Sequence, residues 1–481
     1  MNFAIVRYLI GWTLGIESIF LLLPALTAVI YGEAELPAYL IAAAISLAGA
    51  ALLCHRKPKN TRFYAREGYV TVALCWLVLA VIGALPFVLS REIPFFIDAL
   101  FETVSGFTTT GATILGDVEA LSHASMLWRC LTHWVGGMGV LVFMLIVLPL
   151  AGGQTIFLMR AESPGPSVSK MSPHMRDTAT ILYAIYFGLT VLQMILLLIG
   201  GMPFFDAICV SLGTAGTGGF GNWNDSIAHY NSAYLQNVIT VFMILFGINF
   251  SAYFLILTRK FRQAFRIEEI RVYLGVIFVF AGLIAFNVRP MFGSLRESFH
   301  HALFQVASII TTTGFSTVDF DQWPTFSRAL LVLLMFIGAC AGSTGGGIKC
   351  SRILLLGKSV KKEMMCLIHP RLVRVNKMDG QRVPHEVMRS INVFVVAYAF
   401  IFILSLLIIS LNCEDLVTCF TSVATTLNNV GPGLSLCGPT CNFDFFPPLS
   451  KCVLIFDMLA GRLELFPMLL LFTPGTWQRN K

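Results

Sequence analysis

Charged side chains are scarce in this chain of 481 residues. Asp, Glu, Lys and Arg together make up 12% of the sequence, about half the roughly 25% found in soluble proteins. Hydrophobic residues make up 56%, and no polar stretch is long enough to form a separate soluble domain. The composition therefore predicts a protein that lies almost entirely within a lipid bilayer.

Motifs typical of membrane enzymes and of nucleotide-binding proteins are also missing. The sequence contains no His-Glu-x-x-His pair, and the adjacent His300 and His301 are expected at the outer edge of a short helix. A glycine-rich run ending at Lys349 superficially suggests a phosphate-binding loop. It lacks the Gly-Lys-Ser/Thr ending, because Ile348 precedes the lysine and Cys350 follows it. We therefore expect neither an enzyme nor a nucleotide-binding protein.

Long apolar runs are present instead, most of them close to the roughly 20 residues that cross a bilayer as a helix. We identify such runs at residues 8–30, 37–53, 69–89, 126–150, 179–199, 233–257, 273–286, 326–356, 391–411 and 451–472. They predict an all-α polytopic membrane protein.

The net charge is +7, and the basic and acidic residues lie in different connections between these runs. Basic side chains cluster in residues 56–66, 259–271 and 358–389, whereas the alternate connections carry acids. The positive-inside rule places the basic connections and both termini in the cytoplasm. The charge therefore indicates topology rather than nucleic-acid binding. Acids on the outer face would raise the local cation concentration; the alternative is that they are incidental to topology.

A Thr/Gly phrase recurs four times, each time between two apolar runs. Its glycines are Gly111, Gly219, Gly314 and Gly431. Non-helical backbone is tolerated at membrane depth only where it is buried in protein or lines a water-filled cavity. Four such loops predict four-fold pseudosymmetry around one pore, with carbonyl and Thr oxygens that replace the hydration shell of a cation.

The first and third copies belong to a longer repeat. Residues 98–111 and 301–314 are identical at eight of fourteen positions. The 10–14 residues before each loop are too short to cross a bilayer, so they predict a half-helix that enters the membrane and returns. The C-terminus of each half-helix would direct the negative end of its dipole towards the pore.

These features predict an N-terminal helical hairpin, residues 1–67, followed by four helix/pore-loop/helix repeats around one pore. The repeats are expected at residues 68–155, 176–262, 270–360 and 388–475.

The candidate filter consists of each glycine and the residues just before it. Its members are Thr109, Thr110, Gly111, Thr217, Gly218, Gly219, Thr312, Thr313, Gly314, Asn429, Val430 and Gly431. Glycine is expected because a side chain would obstruct a backbone that presents successive carbonyls to one axis. The alternative is that these glycines are packing sites between helices. In the second loop, the extra glycines leave the register open by a residue or two.

A glycine-rich segment, residues 338–349, interrupts the second helix of the third repeat. It predicts a flexible break that gates the pore below the filter; the alternative is a static kink. The candidate gate residues are Gly342, Gly345, Gly346, Gly347, Lys349 and Arg462. Arg462 lies inside the last apolar run, where it either faces the cavity as a barrier to cations or pairs with Asp457 or Glu464.

Four other side chains have less specific interpretations. Arg129 and His133, near the outer start of a helix, are expected to make structural polar contacts. Cys437 and Cys441 share an outer loop, and their spacing leaves open whether they form a disulfide.

Several of these motifs match a known family. The filter loops, together with residues 128–129, 134–139, 341–349, 428–433 and 461–464, resemble the Trk/Ktr/HKT superfamily of potassium transporters. The two extra N-terminal helices are similar to those of its TrkH/TrkG-type bacterial potassium-uptake subunits. The resemblance covers essentially the whole chain.

The resemblance implies potassium uptake across the bacterial cytoplasmic (inner) membrane, with the potassium ion as substrate and no covalently bound cofactor. It implies a homodimer in the lipid bilayer, regulated by a cytosolic, nucleotide-binding TrkA-type ring. In related proteins a serine at the first filter glycine accompanies sodium transport, so Gly111 favours potassium. Coupling to protons or sodium, as in a symport, stays open. The alternative function is a secondary transporter of a small solute with discontinuous helices, which would favour two inverted repeats.

Overall fold

Helices dominate the structure. The computed structural model describes residues 1–58, 64–147, 175–371, 375–413 and 415–478. In chain order the helices are α1 (Phe3–Tyr31), α2 (Leu36–Cys54), α3 (Ala65–Ser90), α4 (Phe96–Phe107), α5 (His123–Val147), α6 (Met175–Ile199), α7 (Phe204–Gly216), α8 (Ala233–Phe246), α9 (Phe250–Leu257), α10 (Phe261–Ala264), α11 (Glu268–Phe292), α12 (Leu295–Ile310), α13 (Thr325–Phe336), α14 (Cys350–Ile368), α15 (His385–Ile409), α16 (Leu416–Asn428), α17 (Pro448–Arg462) and α18 (Phe466–Leu471).

Two short ladders complete the described secondary structure. Strands β1 (Ile337–Gly338) and β2 (Ile348–Lys349) pair in parallel. Strands β3 (Lys377–Met378) and β4 (Gln381–Arg382) pair antiparallel. Single 3-10 turns lie at Ser226–His229, Phe320–Gln322, Ser435–Cys437 and Pro474–Trp477.

Within the described residues, six helices are long and apolar enough to cross a membrane. They are α1, α2, α3, the Thr180–Ile199 part of α6, α11 and α15. Helices α8 and α9 could form a seventh span, but they are bent by 93° relative to each other. These lengths agree with the predicted polytopic membrane fold.

The N-terminal hairpin is formed by α1 and α2. Gly32 ends α1 because it adopts a left-handed conformation with a φ of 69° and donates its N–H to the carbonyl of Ala28. The two helices pack closely, since a Cβ on Gly11 would lie 2.6 Å from Sγ of Cys54. The hairpin also contacts α3 and α5.

Three of the apolar runs are not continuous helices. The run 233–257 breaks between α8 and α9, the run 326–356 at residues 337–349, and the run 451–472 at residues 463–465. Only the second of these interruptions is expected from the sequence. The run 126–150 begins in α5, and residues 148–150 lie outside the described part of the chain.

The break between α8 and α9 coincides with a close contact at Gly247 and a helix cap at Asn249. Gly247 packs against Tyr273 so closely that a Cβ would lie 2.3 Å from the phenol oxygen. Asn249 then starts α9, because its Oδ1 accepts the N–H of Ser251 at 2.8 Å. Between α17 and α18, Glu464 and Leu465 have positive φ angles, which interrupt the helix.

The four short helices before the Thr/Gly loops are α4, α7, α12 and α16, which we call the pore helices. They contain 12, 13, 16 and 13 residues. The third is longer than predicted, because the Ser294 side chain caps it at the N–H of Glu297.

Cys437 and Cys441 are separate thiols. The division into repeats stays a prediction, and its boundary at residue 155 lies outside the described residues.

Candidate functional site

Each pore helix ends in the same pair of backbone hydrogen bonds. In the first, the N–H of Thr109 donates to Gly106 and the N–H of Thr110 donates to Ser105. The same pair recurs at residues 217–218, 312–313 and 429–430, and all eight N···O distances lie between 2.8 and 3.2 Å. This is the Schellman arrangement, in which the residue after the helix cap adopts a left-handed conformation.

The left-handed conformation appears twice in every loop. Its first occurrence, with φ between 55° and 58°, is at Thr109, Thr217, Thr312 and Asn429. Its second, with φ between 79° and 98°, is at Gly111, Gly219, Gly314 and Gly431. Glycine adopts this conformation freely, whereas a β-branched threonine is strained there by about 1–3 kcal/mol. The repetition also fixes the register of the second loop, which the sequence leaves open.

The four loops form a closed ring. Each filter glycine packs against the carbonyl oxygen of the residue that precedes the filter glycine of the next loop. The pairs, with the distance from an ideal Cβ on the glycine to that oxygen, are Gly111–Gly218 (1.9 Å), Gly219–Thr313 (1.9 Å), Gly314–Val430 (2.5 Å) and Gly431–Thr110 (2.7 Å). The fourth loop thus returns to the first, and no side chain fits at these glycines without displacing backbone.

The segment 338–349, which we call the glycine loop, is held inside the break between α8 and α9. The N–H of Cys340 donates to the carbonyl of Gly247 at 3.1 Å. The N–H of Phe250 donates to the carbonyl of Gly342 at 3.0 Å. The ladder between β1 and β2 closes the two ends of the loop. The unexpected bend between α8 and α9 therefore accommodates the glycine loop.

The glycine loop also contacts the filter directly. The N–H of Gly346 donates to Oγ1 of Thr312 at 2.7 Å. A Cβ on Gly346 would lie 2.6 Å from the carbonyl oxygen of Asn428, so a side chain has no room there. The ammonium group of Lys349 folds back to donate to the carbonyl of Gly345. The predicted gate and the third and fourth filter loops are thus neighbours.

Arg462 links the glycine loop to α5. Its Nη1 donates to the carbonyl of Thr344 at 2.7 Å, and its Nη2 donates to the carbonyl of Gly136 at 2.8 Å. The guanidinium therefore binds backbone oxygens from two different parts of the chain.

The two acids expected near Arg462 bind other side chains. Glu464 forms an ion pair of 2.5 Å with Arg352 on α14. Asp457 accepts a hydrogen bond of 2.7 Å from Ser405 on α15.

Comparisons with known proteins bear on this arrangement. The family model described as "TrkH: Cation transport protein" matches residues 37–478. The chain belongs to the TrkH family. This confirms the resemblance to the Trk superfamily, and it makes the protein a member of a transporter family rather than an enzyme.

Relatives and a solved structure of the TrkH family match over nearly the full chain. The "Trk system potassium uptake protein TrkH" of Salmonella typhimurium is 38% identical over 99% of this chain and 100% of its own length. The TrkG protein of Escherichia coli is 33% identical over 98% of each chain. The crystal structure of the potassium transporter TrkH from Vibrio parahaemolyticus superposes with a TM-score of 0.89, at 33% identity and 99% coverage of this chain. The predicted helical membrane fold is therefore confirmed.

A vestibule on one side of the ring is lined by all four filter glycines of this TrkH-family chain and by Arg129. Arg129 is buried, and its Nε donates to Glu102 at 2.8 Å. Its guanidinium lies over the Phe220 ring at 4.1 Å. Because Phe220 follows the second filter glycine, this ion pair connects the first pore helix to the second filter loop. The structural contact expected for Arg129 is observed.

Glu102 belongs to the half-helix predicted before the first loop, and the structure shows that its side chain is buried. The residue lies within the first pore helix with 1% of its surface exposed. It also accepts the Thr113 hydroxyl at 3.0 Å and the Ile114 N–H at 3.1 Å. An acid between apolar residues of a half-helix is a signal of such a buried role, because an intramembrane ionisable group requires partners.

His133 also makes the structural contacts expected of it. Its Nδ1 donates to the carbonyl of Gly106 at 2.7 Å, and its Nε2 accepts the N–H of Phe220 at 3.1 Å. The neutral ring therefore joins the end of the first pore helix to the second loop.

Two further sets of contacts hold the fourth loop and the fourth pore helix of this TrkH-family chain. Asn429 donates to Oγ1 of Thr110 at 3.0 Å and to the carbonyl of Met458 at 2.9 Å, which ties the fourth loop to the first. At the far end of the fourth pore helix, Asp415 caps the N–H groups of Val417 and Thr418. Hydrogen bonds from the hydroxyls of Thr418 and Ser435 lower the pKa of Asp415 to about 2.

Proposed function

We propose that this TrkH-family protein takes up potassium ions across the bacterial cytoplasmic membrane through the ring of four filter loops. The observation that carries the proposal is the closed cycle of glycine-to-carbonyl contacts, in which four chain segments present equivalent backbone to one another. Relatives that match this chain end to end carry the name potassium uptake protein. The coordinating residues would be the twelve predicted filter residues.

Potassium suits such a ring for a physical reason. Backbone carbonyls and hydroxyls can replace the hydration shell of a monovalent cation without adding a fixed negative charge that would hold it too strongly. The C-termini of all four pore helices end at the ring. Their negative dipole ends favour a cation there. The same orientation argues against a secondary transporter that directs helix N-termini towards an anion.

We further propose that the glycine loop and Arg462 form the gate. The loop lies against the filter residue Thr312, and Arg462 holds it at Thr344. A barrier made of backbone hydrogen bonds can open when those bonds are released, without moving the filter. The cation of Arg462 would add an electrostatic barrier to the same passage.

The remaining parts of the proposal follow from family membership and charge. The protein would act as a homodimer with a cytosolic nucleotide-binding TrkA-type ring. The basic connections would face the cytoplasm, as would both termini. Among the acids of the other connections, Asp117 accepts a hydrogen bond of 2.8 Å from Asn224 in the vestibule wall. Such acids would attract cations to the filter.

The experiment is potassium-limited growth of a bacterial strain that lacks its own uptake systems, with the wild type or Gly314→Ser expressed beside a TrkA-type partner. Rescue by the wild type, and its loss or a shift towards sodium in the variant, is the expected result. Absence of rescue by well-expressed wild type would point to another solute. Equal rescue by Gly314→Ser would mean that the glycines only pack helices.

A further inference from the structure

The first turn of α11 carries two adjacent glutamates, Glu268 and Glu269, whose carboxylates bind different parts of the chain. Glu269 is 3% exposed. Its Oε1 accepts the N–H of Ala341 at 2.7 Å and the N–H of Ser351 at 2.9 Å. These two residues stand near the beginning and just beyond the end of the glycine loop. One carboxylate oxygen therefore holds both ends of the loop, and hydrogen bonds to an ionised acceptor are stronger than neutral ones.

Glu268 connects in the other direction, to the small hairpin formed by β3 and β4. Its carboxylate pairs with Lys358, whose Nζ also donates to the carbonyl of Lys377 at 2.8 Å. Its backbone N–H donates to Oδ1 of Asp379 at 2.7 Å. The hairpin thus contacts the first residue of α11 through a side chain and through a bridging lysine.

The turn of this hairpin has a defined shape. Asp379 and Gly380 have φ values of 50° and 78°. Two consecutive positive φ angles are the conformation of a tight two-residue hairpin turn, and Asp-Gly favours it. The carboxylate of Asp379 is therefore held in a fixed position at the N-terminus of α11, where a negative charge is favourable.

Helix α14 is held by both glutamates. Ser351 binds Glu269 and Lys358 binds Glu268. Seven residues separate Ser351 from Lys358, so they lie about two turns apart on the same face of α14. The first turn of α11, the start of α14 and the hairpin are therefore connected in one continuous set of contacts.

We infer that the Glu268–Glu269 turn is the mechanical link through which the β3–β4 hairpin controls the glycine loop. Glu269 acts as a positioning residue that keeps both ends of the loop in place. A displacement of the hairpin, for example by a protein bound to the basic residues of 358–389, would move Glu268. This movement would weaken the hydrogen bonds that the adjacent Glu269 accepts from Ala341 and Ser351. The inference rests on the proposed role of the loop as a gate.

Hydrogen–deuterium exchange of the full-length protein in lipid nanodiscs tests the link without requiring transport. In Glu269→Gln, the amides of residues 339–351 should exchange about tenfold faster, because a neutral amide accepts the two N–H groups less strongly. In Asp379→Ala, the same amides should also exchange several-fold faster, although Asp379 makes no described hydrogen bond to the loop. The pore helix α12 should be unchanged in both.

Glu386→Gln is the matched control, because Glu386 is an exposed glutamate in the first turn of another helix, α15. It should leave exchange in the glycine loop at the wild-type rate. If Asp379→Ala loosened the hairpin alone, the link would be overturned. If Glu269→Gln left the loop protected, the positioning role of Glu269 would be overturned.

Two further measurements separate the possible failures. Faster exchange in α12 as well would show that Asp379→Ala disturbs the fold in general. Lys358→Gln, which leaves the hairpin turn intact, would then replace it: faster exchange in the glycine loop supports the link, and faster exchange in the hairpin alone overturns it. Potassium flux into vesicles is measured in parallel. A wild type without flux in the presence of a TrkA-type partner would refute the proposed function, while the exchange result would still decide the link. A conducting wild type with unchanged exchange in both variants would refute the link alone.

Discussion

The filter ring and the glycine loop lie against each other, yet they are built in opposite ways. The ring consists of four copies of one backbone conformation, and each copy contacts the next through a glycine and a carbonyl. The glycine loop follows α13 and has no second copy in the described part of the chain. Side chains from three other segments lie against it or bind it: Asn249, Glu269 and Arg462. Repetition suits a site that surrounds an ion, and a single asymmetric loop suits a part that moves.

The strongest test of this contrast is alanine at each filter glycine in turn. Gly111→Ala and Gly219→Ala should lower potassium uptake by about 100-fold, equivalent to roughly 3 kcal/mol, because the added Cβ would overlap a carbonyl oxygen. Gly314→Ala and Gly431→Ala should be less severe, since their contacts are longer, at 2.5 and 2.7 Å. The measurement is potassium flux into vesicles.

Gly116→Ala is the control on the loop of Gly111, because among the described residues no atom beyond its chain neighbours lies within 4 Å of a Cβ added there. It should transport like the wild type. Four equally mild alanine variants would contradict a close-packed ring and would remove the distinction between ring and loop.

The next largest effect is expected from Arg462→Gln. The variant weakens the bonds to the carbonyls of Thr344 and Gly136, which are worth on the order of 1.5–3 kcal/mol each when the donor is charged. Resting flux without a cytosolic partner should rise by about tenfold. Arg328→Gln, at a half-exposed arginine that pairs with Asp321, should leave it unchanged.

Arg462→Lys sharpens that result. Lysine keeps the charge but lacks the planar fork that reaches two carbonyls. A leak like that of the glutamine variant would assign the closed gate to the carbonyl contacts. Wild-type flux in Arg462→Lys would show that the charge alone keeps the gate closed, and would contradict a role for the two carbonyl contacts.

A smaller effect is expected where ring and loop meet. Thr312→Val removes the acceptor for the N–H of Gly346 and should raise resting flux about threefold, since one neutral hydrogen bond contributes roughly 1 kcal/mol. Thr109→Val is the matched control, because Thr109 occupies the equivalent position in the first loop and its hydroxyl has no hydrogen-bond partner among the described residues. Equal effects would show that the hydroxyls act on the ion and not on the loop.

The smallest effect is expected at the far end of the fourth pore helix. Asp415→Ala should lower stability by about 1 kcal/mol, because two N–H groups lose their cap, and should leave selectivity unchanged. The folded-state pKa of Asp415 is lowered from 3.8 to about 2. Its contribution is therefore present above pH 4 and is lost as the pH falls towards 2. The difference in thermal midpoint between wild type and variant should be constant from pH 7 to pH 5; a steady decline over that range would contradict the lowered pKa.

The sequence predicts the repeated elements well, because their signals are local. A Thr/Gly phrase after a short half-helix specifies a helix end with a left-handed residue, and the structure contains that end at all four positions. The interruption at residues 338–349 follows from an unusual run of small residues. The sequence also identifies Arg462 as a candidate functional residue, because an ionisable side chain within an apolar run is rare.

Other parts of the site depend on contacts that no local pattern records. The cyclic order of the ring joins residues more than a hundred positions apart, such as Gly111 and Gly218. Glu269 binds the backbone N–H groups of Ala341 and Ser351, and because every sequence supplies such groups, no pattern marks them as its partners. The close contact at Gly247 is with Tyr273 from another helix. The partners of Glu102 are Thr113 and Arg129, which lie 11 and 27 positions away, so no local pattern identifies them.

The last contact of the ring has a consequence for biosynthesis. Asn429 and Thr110, which join the fourth loop to the first, are 319 positions apart. While the ribosome is still translating the fourth repeat, the first three loops have inserted without their closing neighbour. Polar backbone exposed to lipid is costly, so the nascent chain needs temporary shelter from the insertion machinery or from water. The ring can therefore close only after the fourth loop has been translated, when Asn429 can bind Thr110.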